Sequence, residues 1–216
     1  MRCPECGFLN KEDAKFCSGC GTIIAHLKEV EGKEKKMLTV LFGDIVNFTG
    51  ISEKLDVEQI TDLLTACFGK IGMLAKKYGG MVNKLIGDEV MILYGLHDFR
   101  KSDSRRAIST AIEIHEFLSN FDVKKIVRDV SDRISIRIGI DRGIVGVDRV
   151  GKESQYEYMV LGRPVEQASL LEEVAEGGMT LLGEGAYNSS KDEFQFKRFK
   201  KKEGENLITG YELVRD

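Results

Sequence analysis

A chain of 216 residues with 42% hydrophobic content has room for one well-packed domain and a small appendage, and its 35 acidic and 32 basic residues give a formal net charge of −3. The near balance, spread along the chain, leaves no basic stripe of the kind that tracks phosphate backbones, so no nucleic-acid partner is expected. There is no apolar run of roughly eighteen residues and no secretory leader, because Met1-Arg2-Cys3-Pro4 leads straight into a cysteine motif; the expectation is a cytoplasmic protein without membrane association.

Four of the five cysteines come first, as two C-x2-C knuckles, Cys3/Cys6 and Cys17/Cys20, each followed by glycine. Glycine lets backbone amides approach the thiolates, and four thiolates make a closed tetrahedral Zn²⁺ site. A pair of disulfides would need an oxidising compartment, which nothing in the sequence signals. A site closed by four cysteines keeps no open coordination position, so the zinc is expected to be structural. Residues 1–21 are assigned to this ribbon, and residues 22–36 turn densely charged and read as a linker. Residues 37–216 form the main domain.

Within that domain, Leu38 to Phe42 is a β-prone run that delivers Asp44 to a strand end. Ile45 to Thr49 then turns into a helix start, where unpaired amides make an anion site. From Asp56 onward, Ile60, Leu63, Leu64, Cys67, Phe68, Ile71 and Leu74 recur at three- and four-residue steps, an amphipathic helix that stops at Gly79-Gly80. Cys67 falls on its apolar face and reads as a core residue. Met81 to Ile86 and Val90 to Tyr94 read as a hairpin whose tight turn holds Asp88. If this hairpin pairs beside the first strand, Asp44 and Asp88 converge, and two carboxylates with phosphate oxygens form the set that Mg²⁺ prefers. Taken singly, each aspartate reads as a turn or cap residue.

Ser102 and Asp103 offer N-caps to a second helix, with His115 at the core edge. Arg133 to Ile140 alternates with period two and suits a strand, with Gly139 and Gly143 marking a sharp exit. Ile144 to Val147 and Tyr156 to Leu161 read as a further hairpin, and Gly162 and Pro164 start a helix over Val165 to Glu173. Met179 to Leu182, Phe194 to Phe199 and Tyr211 to Val214 form a β extension. The element order gives an α+β class with a ferredoxin-like, split βαβ core.

The pieces LFGDIVNFTG, VNKLIGDEVMILYG, RIGIDRGIVGV and YMVLGRPVEQASLLE, in that order from about Met37 to the C-terminus, resemble the catalytic domain of class III nucleotide cyclases, the adenylyl and guanylyl cyclases. The resemblance implies conversion of a nucleoside triphosphate, ATP to cyclic AMP and pyrophosphate, with two Mg²⁺ or Mn²⁺ ions per site. It also implies a dimer, with a second copy or with another cyclase-type domain, whose active site lies between two catalytic domains. One partner gives the metal-binding aspartates and the other gives base-reading and transition-state residues. On this basis Asp44 and Asp88 match the metal pair, with the Ile45 carbonyl as an added ligand. The backbone of Val46, Asn47, Phe48 and Thr49 matches the triphosphate cradle, and Lys84 matches the lysine that contacts adenine.

The complementary half departs from the pattern. The residue that accepts from the base amino group falls at Met159, which offers no useful acceptor. The helix motif V-N-x-A-x-R reads Val165-Glu166-Gln167-Ala168-Ser169-Leu170, so Glu166 replaces the asparagine that orients ribose and Leu170 the arginine that neutralises the transferring phosphate. Lys200, Lys201 and Lys202 are the candidates for the phosphate-gripping lysine, and the same run also reads as a solvated turn. Donors of this type are each worth roughly a hundred- to a thousandfold in rate. The expectation is therefore a cyclase that is weak as a homodimer or active only beside an intact partner, with a metal-nucleotide-binding pseudo-cyclase as the alternative. A nucleic-acid role for the ribbon rests only on Arg2, Lys11 and Lys15 as cations and on Phe8 and Phe16 as a stacking pair.

Overall fold

The structure is a computed structural model that describes residues 2–3, 5–11, 14, 16–22, 34–46, 48–125, 134–152 and 155–215. Its centre is β1 (Glu34–Val46), which pairs antiparallel with β3 (Glu89–Tyr94) on one side and β4 (Ser135–Lys152) on the other. β2 (Met81–Ile86) completes the hairpin with β3, and β4 also pairs with β5 (Gln155–Leu161) and runs parallel to β6 (Thr180–Leu182). The sheet continues through β8 (Asn206–Leu213) to β7 (Phe196–Glu203), so the order is β2-β3-β1-β4-β6-β8-β7. The inner part, β2-β3-β1-β4, is the ferredoxin-like core that the sequence suggested.

Alternation along β1 sends side chains to two cores. Leu41 and Ile45 join Ile92, Ile138 and Ile140 under α2 (Val57–Lys77) and α3 (Asp103–Ser119). Leu38, Val40 and Phe42 join Met91, Val145 and Val160 on the opposite face, beneath Ala168 of α4 (Arg163–Val174). α2 begins at a reciprocal cap, in which Asp56 accepts from the Gln59 amide at 2.8 Å and the Gln59 side chain accepts from the Asp56 amide at 3.1 Å. Its buried residues Leu63, Cys67, Phe68, Ile71 and Leu74 follow the expected periodicity. His115 is buried on α3 and bonds Thr180 at 2.9 Å. Burial lowers its pKa to about 3, so it is a neutral tie between helix and sheet.

Several local expectations change. β4 is one strand through both Gly139 and Gly143, not two strands with a sharp exit. The glycines serve close approach: a Cβ on Gly139 would strike the Ala168 carbonyl and the Glu172 amide, and one on Gly143 would sit 2.7 Å from Pro164 Cγ. Without side chains there, α4 lies directly on β4. The start of that strand expected at Arg133 and part of the loop expected at 151–155 lie outside the described residues, as does most of the 22–36 linker. The first strand begins at Glu34, so part of that linker is β-structure. Ser102 makes no side-chain cap bond; buried Asp103 instead accepts from the Arg100 amide at 2.9 Å and pairs with Arg106. Lys200 to Lys202 lie on β7 and not in a turn, and Lys201 donates to the Val174 carbonyl at 3.1 Å, pinning the last turn of α4. Among the described residues no helix is long and apolar enough to cross a membrane.

Among the described residues, one ion pair ties the N-terminal ribbon to the main domain. Arg142 on β4 has a side chain only 5% exposed, and its Nη2 donates to both carboxylate oxygens of Glu5 at 2.8 and 2.9 Å. The guanidinium also lies 5.4 Å from the centre of the Phe99 ring. Breaking a buried pair by removing one partner costs about 3–5 kcal/mol, and partial hydration of Glu5 reduces this to about 2–3 kcal/mol. Glu5→Ala is therefore expected to lower the melting temperature by roughly 4–12 °C. Adding Arg142→Met should recover most of the loss in the same thermal melts, and an unchanged melting temperature for Glu5→Ala would show that the ribbon does not shield Arg142.

Candidate active site

The pairing register sets three charged side chains in one row. Asp44 of β1 lies opposite Glu89 of β3 and opposite Arg137 of β4. Because Phe42 and Met91, two residues back, belong to the core beneath α4, the row faces α4 as well. Gly87, with φ of +62°, lets the β2–β3 hairpin turn tightly. The turn places the Asp88 carbonyl 3.2 Å from the Ile45 amide that donates to it. Asp44 and Asp88 are thus brought side by side, as the hairpin reading required.

Burial, with like charge added to it, disfavours the ionised carboxylates of this group. Burial raises the Asp44 pKa and Asp88 adds to the rise, against Arg137, which lowers it. Burial also raises Glu89, with Asp44 and Asp88 adding to it. Glu172, from α4, is pushed up to about 7 by burial, opposed by Arg137. Arg137 is the cation of this cluster. Its Nε and Nη2 donate to Asp44 Oδ2 at 3.0 and 2.7 Å, its Nη1 donates to the Glu173 carbonyl at 3.0 Å, and Glu172 Oε1 is 2.7 Å from Nε. Asp44 and Glu172 flank the guanidinium, and Asp88 and Glu89 lie close to Asp44, an oxygen-rich, electronegative set suited to a hard divalent cation.

Beyond Asp44 the chain leaves the sheet at Val46 and enters α1 (Phe48–Ser52), which contains Thr49. Asn47 lies outside the described residues. Lys84 lies on β2 beside a cavity of about 190 Å³ that it lines together with Phe42, Asn83, Ile86, Glu89, Met91, Val160 and Val165. Asn83 is fixed there by donating to the Tyr158 carbonyl at 3.1 Å. Met159 is not among these residues: strand alternation turns it outward, 39% exposed, and gives the cavity Val160 instead.

Glu166 and Leu170 stand one turn apart on α4, on the side away from the sheet, while Ala168, Leu171 and Glu172 are buried. Leu170 lines a groove of about 400 Å³ with Gln167 and the β7–β8 hairpin residues Glu203, Asn206, Leu207, Ile208 and Thr209. Among the described residues, neither position shares a hydrogen bond or a cavity with the aspartates. Ile86 at the first cavity and Leu170 at the second are exposed apolar side chains, the kind of surface a partner covers.

A second cluster lies in the ribbon. The four Sγ atoms of Cys3, Cys6, Cys17 and Cys20 lie within 4.8 Å of one another, with Cys3–Cys20 at 3.6 Å and Cys6–Cys17 at 3.5 Å. A tetrahedral Zn–S distance of about 2.3 Å implies sulfur pairs about 3.8 Å apart, so the donor set fits zinc. Burial opposes ionisation of Cys17, but bonds from Asn10 and the Gly19 amide outweigh it and lower the thiol to about 6. Burial lifts Cys3 to about 12.

Sequence reasoning missed Arg137, Glu89 and Glu172. The alternation of RISIRIGI placed Arg137 on one face of a strand, but only the register against β1 sets it opposite Asp44.

A profile described as the adenylate and guanylate cyclase catalytic domain matches residues 30–213, and one described as a zinc-ribbon domain matches residues 2–24. An adenylate cyclase from Anabaena cylindrica is 31% identical over 147 residues, covering 67% of this chain and 28% of that protein. A receptor-type guanylate cyclase, gcy-4 of Caenorhabditis elegans, is 26% identical over 182 residues, covering 84% of this chain and 16% of its own length. This chain thus spans less than a third of either relative. Among solved structures, the adenylyl cyclase CyaB from P. aeruginosa superposes with a TM-score of 0.77 at 30% identity, covering 85% of this chain and 96% of that one. The guanylate cyclase domain of RhGC from Catenaria anguillulae, solved in complex with GTP, shares the fold with a TM-score of 0.74 at 24% identity, covering 84% and 98%.

Proposed function

This chain belongs to the adenylate and guanylate cyclase catalytic-domain family, and we propose that it forms a cyclic nucleotide and pyrophosphate from a nucleoside triphosphate, in the cytoplasm, at a site shared by two such domains. The reading rests on one observation above all, the placement of Asp44 and Asp88 side by side at the end of β1. Their carboxylates, with the Ile45 carbonyl, would hold the metal ions. Mg²⁺ or Mn²⁺, if bound there, would supply Lewis acidity toward an attacking hydroxyl and charge shielding for pyrophosphate. Val46 and the first amides of α1 follow directly and suit the triphosphate. The cavity beside Lys84 has apolar walls, Phe42, Met91 and Val160, and one flexible cation, which suits a purine ring and favours ATP through the Lys84 match.

Glu166 and Leu170 face outward, so they would meet the aspartates of a second chain. At that position Leu170 donates nothing, and Glu166 sets a negative charge toward polyphosphate. Glu166 does help its own helix, since an acidic residue in the first turn complements the dipole. The homodimer is accordingly weak, and full activity belongs to a pairing with a partner whose α4 carries the two donors. The exposed Leu170, at the edge of its groove with Leu207, favours a second reading, in which metal-nucleotide binding and dimerisation regulate another protein. In the ribbon, Cys3, Cys6, Cys17 and Cys20 would hold a structural Zn²⁺.

Titration calorimetry with Mn²⁺ and a nonhydrolysable nucleotide tests the metal site. Asp44→Ala and Asp88→Ala are each expected to weaken binding by at least about tenfold, the scale on which metal-site residues act. Wild-type binding by both variants would return the aspartates to turn and cap residues.

A further inference from the structure

One acceptor beside the aspartates lacks a hydrogen. Glu172 Oε1 is shielded from solvent and has no hydrogen-bond partner among the described residues, although Arg137 Nε is only 2.7 Å away. The Nε hydrogen is directed instead at Asp44 Oδ2, at 3.0 Å, and Nη2 donates to the same oxygen at 2.7 Å. The third arm, Nη1, is anchored on the Glu173 carbonyl at 3.0 Å. The guanidinium is thus held at one corner by α4, gives two hydrogens to a single oxygen of Asp44, and leaves its other carboxylate neighbour unserved. A planar fork with five donors has a second arrangement open to it, in which the same group turns toward Glu172.

Asp44 in its present bonding is a poor ligand, because the guanidinium opposes any second positive charge at that distance. Resting on the two-aspartate metal reading above, we propose that Glu172 is a positioning residue, the second acceptor that takes the Arg137 guanidinium when a divalent cation takes Asp44. The exchange is short, since Glu172 is already in contact. It swaps one carboxylate partner for another and leaves the Glu173 anchor in place. Glu172 also lies on the helix that bears Glu166 and Leu170, so metal loading at β1 and the seating of α4 share one side chain.

The test is Mn²⁺ affinity of the full chain, read by the electron paramagnetic resonance of free Mn²⁺, in wild type, Glu172→Gln, Arg137→Met and the double variant. Glu172→Gln is expected to weaken Mn²⁺ by about tenfold in the wild-type background, the lower end for partners of metal ligands. In the Arg137→Met background it should cost less than about threefold, because the group it acts through is gone. Equal losses in both backgrounds would show that Glu172 attracts the metal directly and would overturn the proposal, as would no loss in Glu172→Gln. Glu172→Asp, which keeps the acceptor, should recover most of the affinity. Should Glu172→Gln fail to fold, Arg137→Met alone decides: it should bind Mn²⁺ more tightly than wild type, and weaker binding contradicts the proposal. Asp44→Ala and Asp88→Ala run alongside; if they bind Mn²⁺ as wild type does, the metal reading itself fails, separately from the role of Glu172.

Discussion

Glu166→Asn combined with Leu170→Arg is expected to raise cyclic nucleotide formation by at least about tenfold over the wild-type chain, a cautious fraction of what preorganised donors at a developing charge contribute. The two positions lie on the exposed side of α4, so the substitutions leave the Ala168 and Glu172 contacts with β4 undisturbed. They are four residues apart and therefore neighbours on the helix surface. Leu170→Arg alone should gain less, because Glu166 would pair with the new guanidinium and divert it from phosphate. The effects should be non-additive for the same reason. Coupled measurement of cyclic nucleotide and pyrophosphate, with ATP and GTP and with Mg²⁺ and Mn²⁺, reads the result. Robust turnover by the wild-type homodimer would mean that another cation, such as Arg163 or a lysine of β7, already does this work.

Much of the fold was legible because local signals agreed with one another. The apolar face of α2, its Gly79-Gly80 stop and the Gly87 turn each dictate one backbone outcome; their order supports an α+β sandwich, and the cyclase resemblance supplied the rest of the topology. Sequence order could not reveal why glycine recurs in β4. Gly139 looked like a strand exit, whereas it removes a Cβ that would collide with the backbone of α4. That requirement is set by Ala168, on a helix far along the chain, and no local pattern records it. The basic run at Lys200 to Lys202 misled in the same way, since alternation on β7 sends Lys201 to the end of α4.

The candidate site was legible in part. Asp44 and Asp88 could be read as a pair because a tight hairpin beside a buried strand brings its turn to the strand end. The companions of Asp44 could not be read. Glu89, Arg137 and Glu172 come from three different elements and meet only through the cross-strand register and the close approach of α4. Met159 was matched to the base-contacting position, and the alternation of β5 turns its side chain outward and lines the Lys84 cavity with Val160. The ribbon cysteines were the clearest signal, but the carboxylate between them, Glu5, had no visible partner until the fold brought Arg142 beneath it.

The division of the site between two chains is the central claim, and mixing two incomplete chains tests it most directly. One is the wild-type protein, with Asp44 and Asp88 but without donors on α4. The other carries Glu166→Asn and Leu170→Arg and also Asp44→Ala and Asp88→Ala, so its own pairs hold no metal site. Each alone should form cyclic nucleotide at or near background. Mixed in equal amounts, they should reach about a quarter of the activity of the Glu166→Asn, Leu170→Arg homodimer, because random pairing makes half the dimers mixed and each mixed dimer has one complete site. A mixture no more active than the two chains measured separately, while the Glu166→Asn, Leu170→Arg homodimer is active, would contradict the account and place the whole reaction within a single chain.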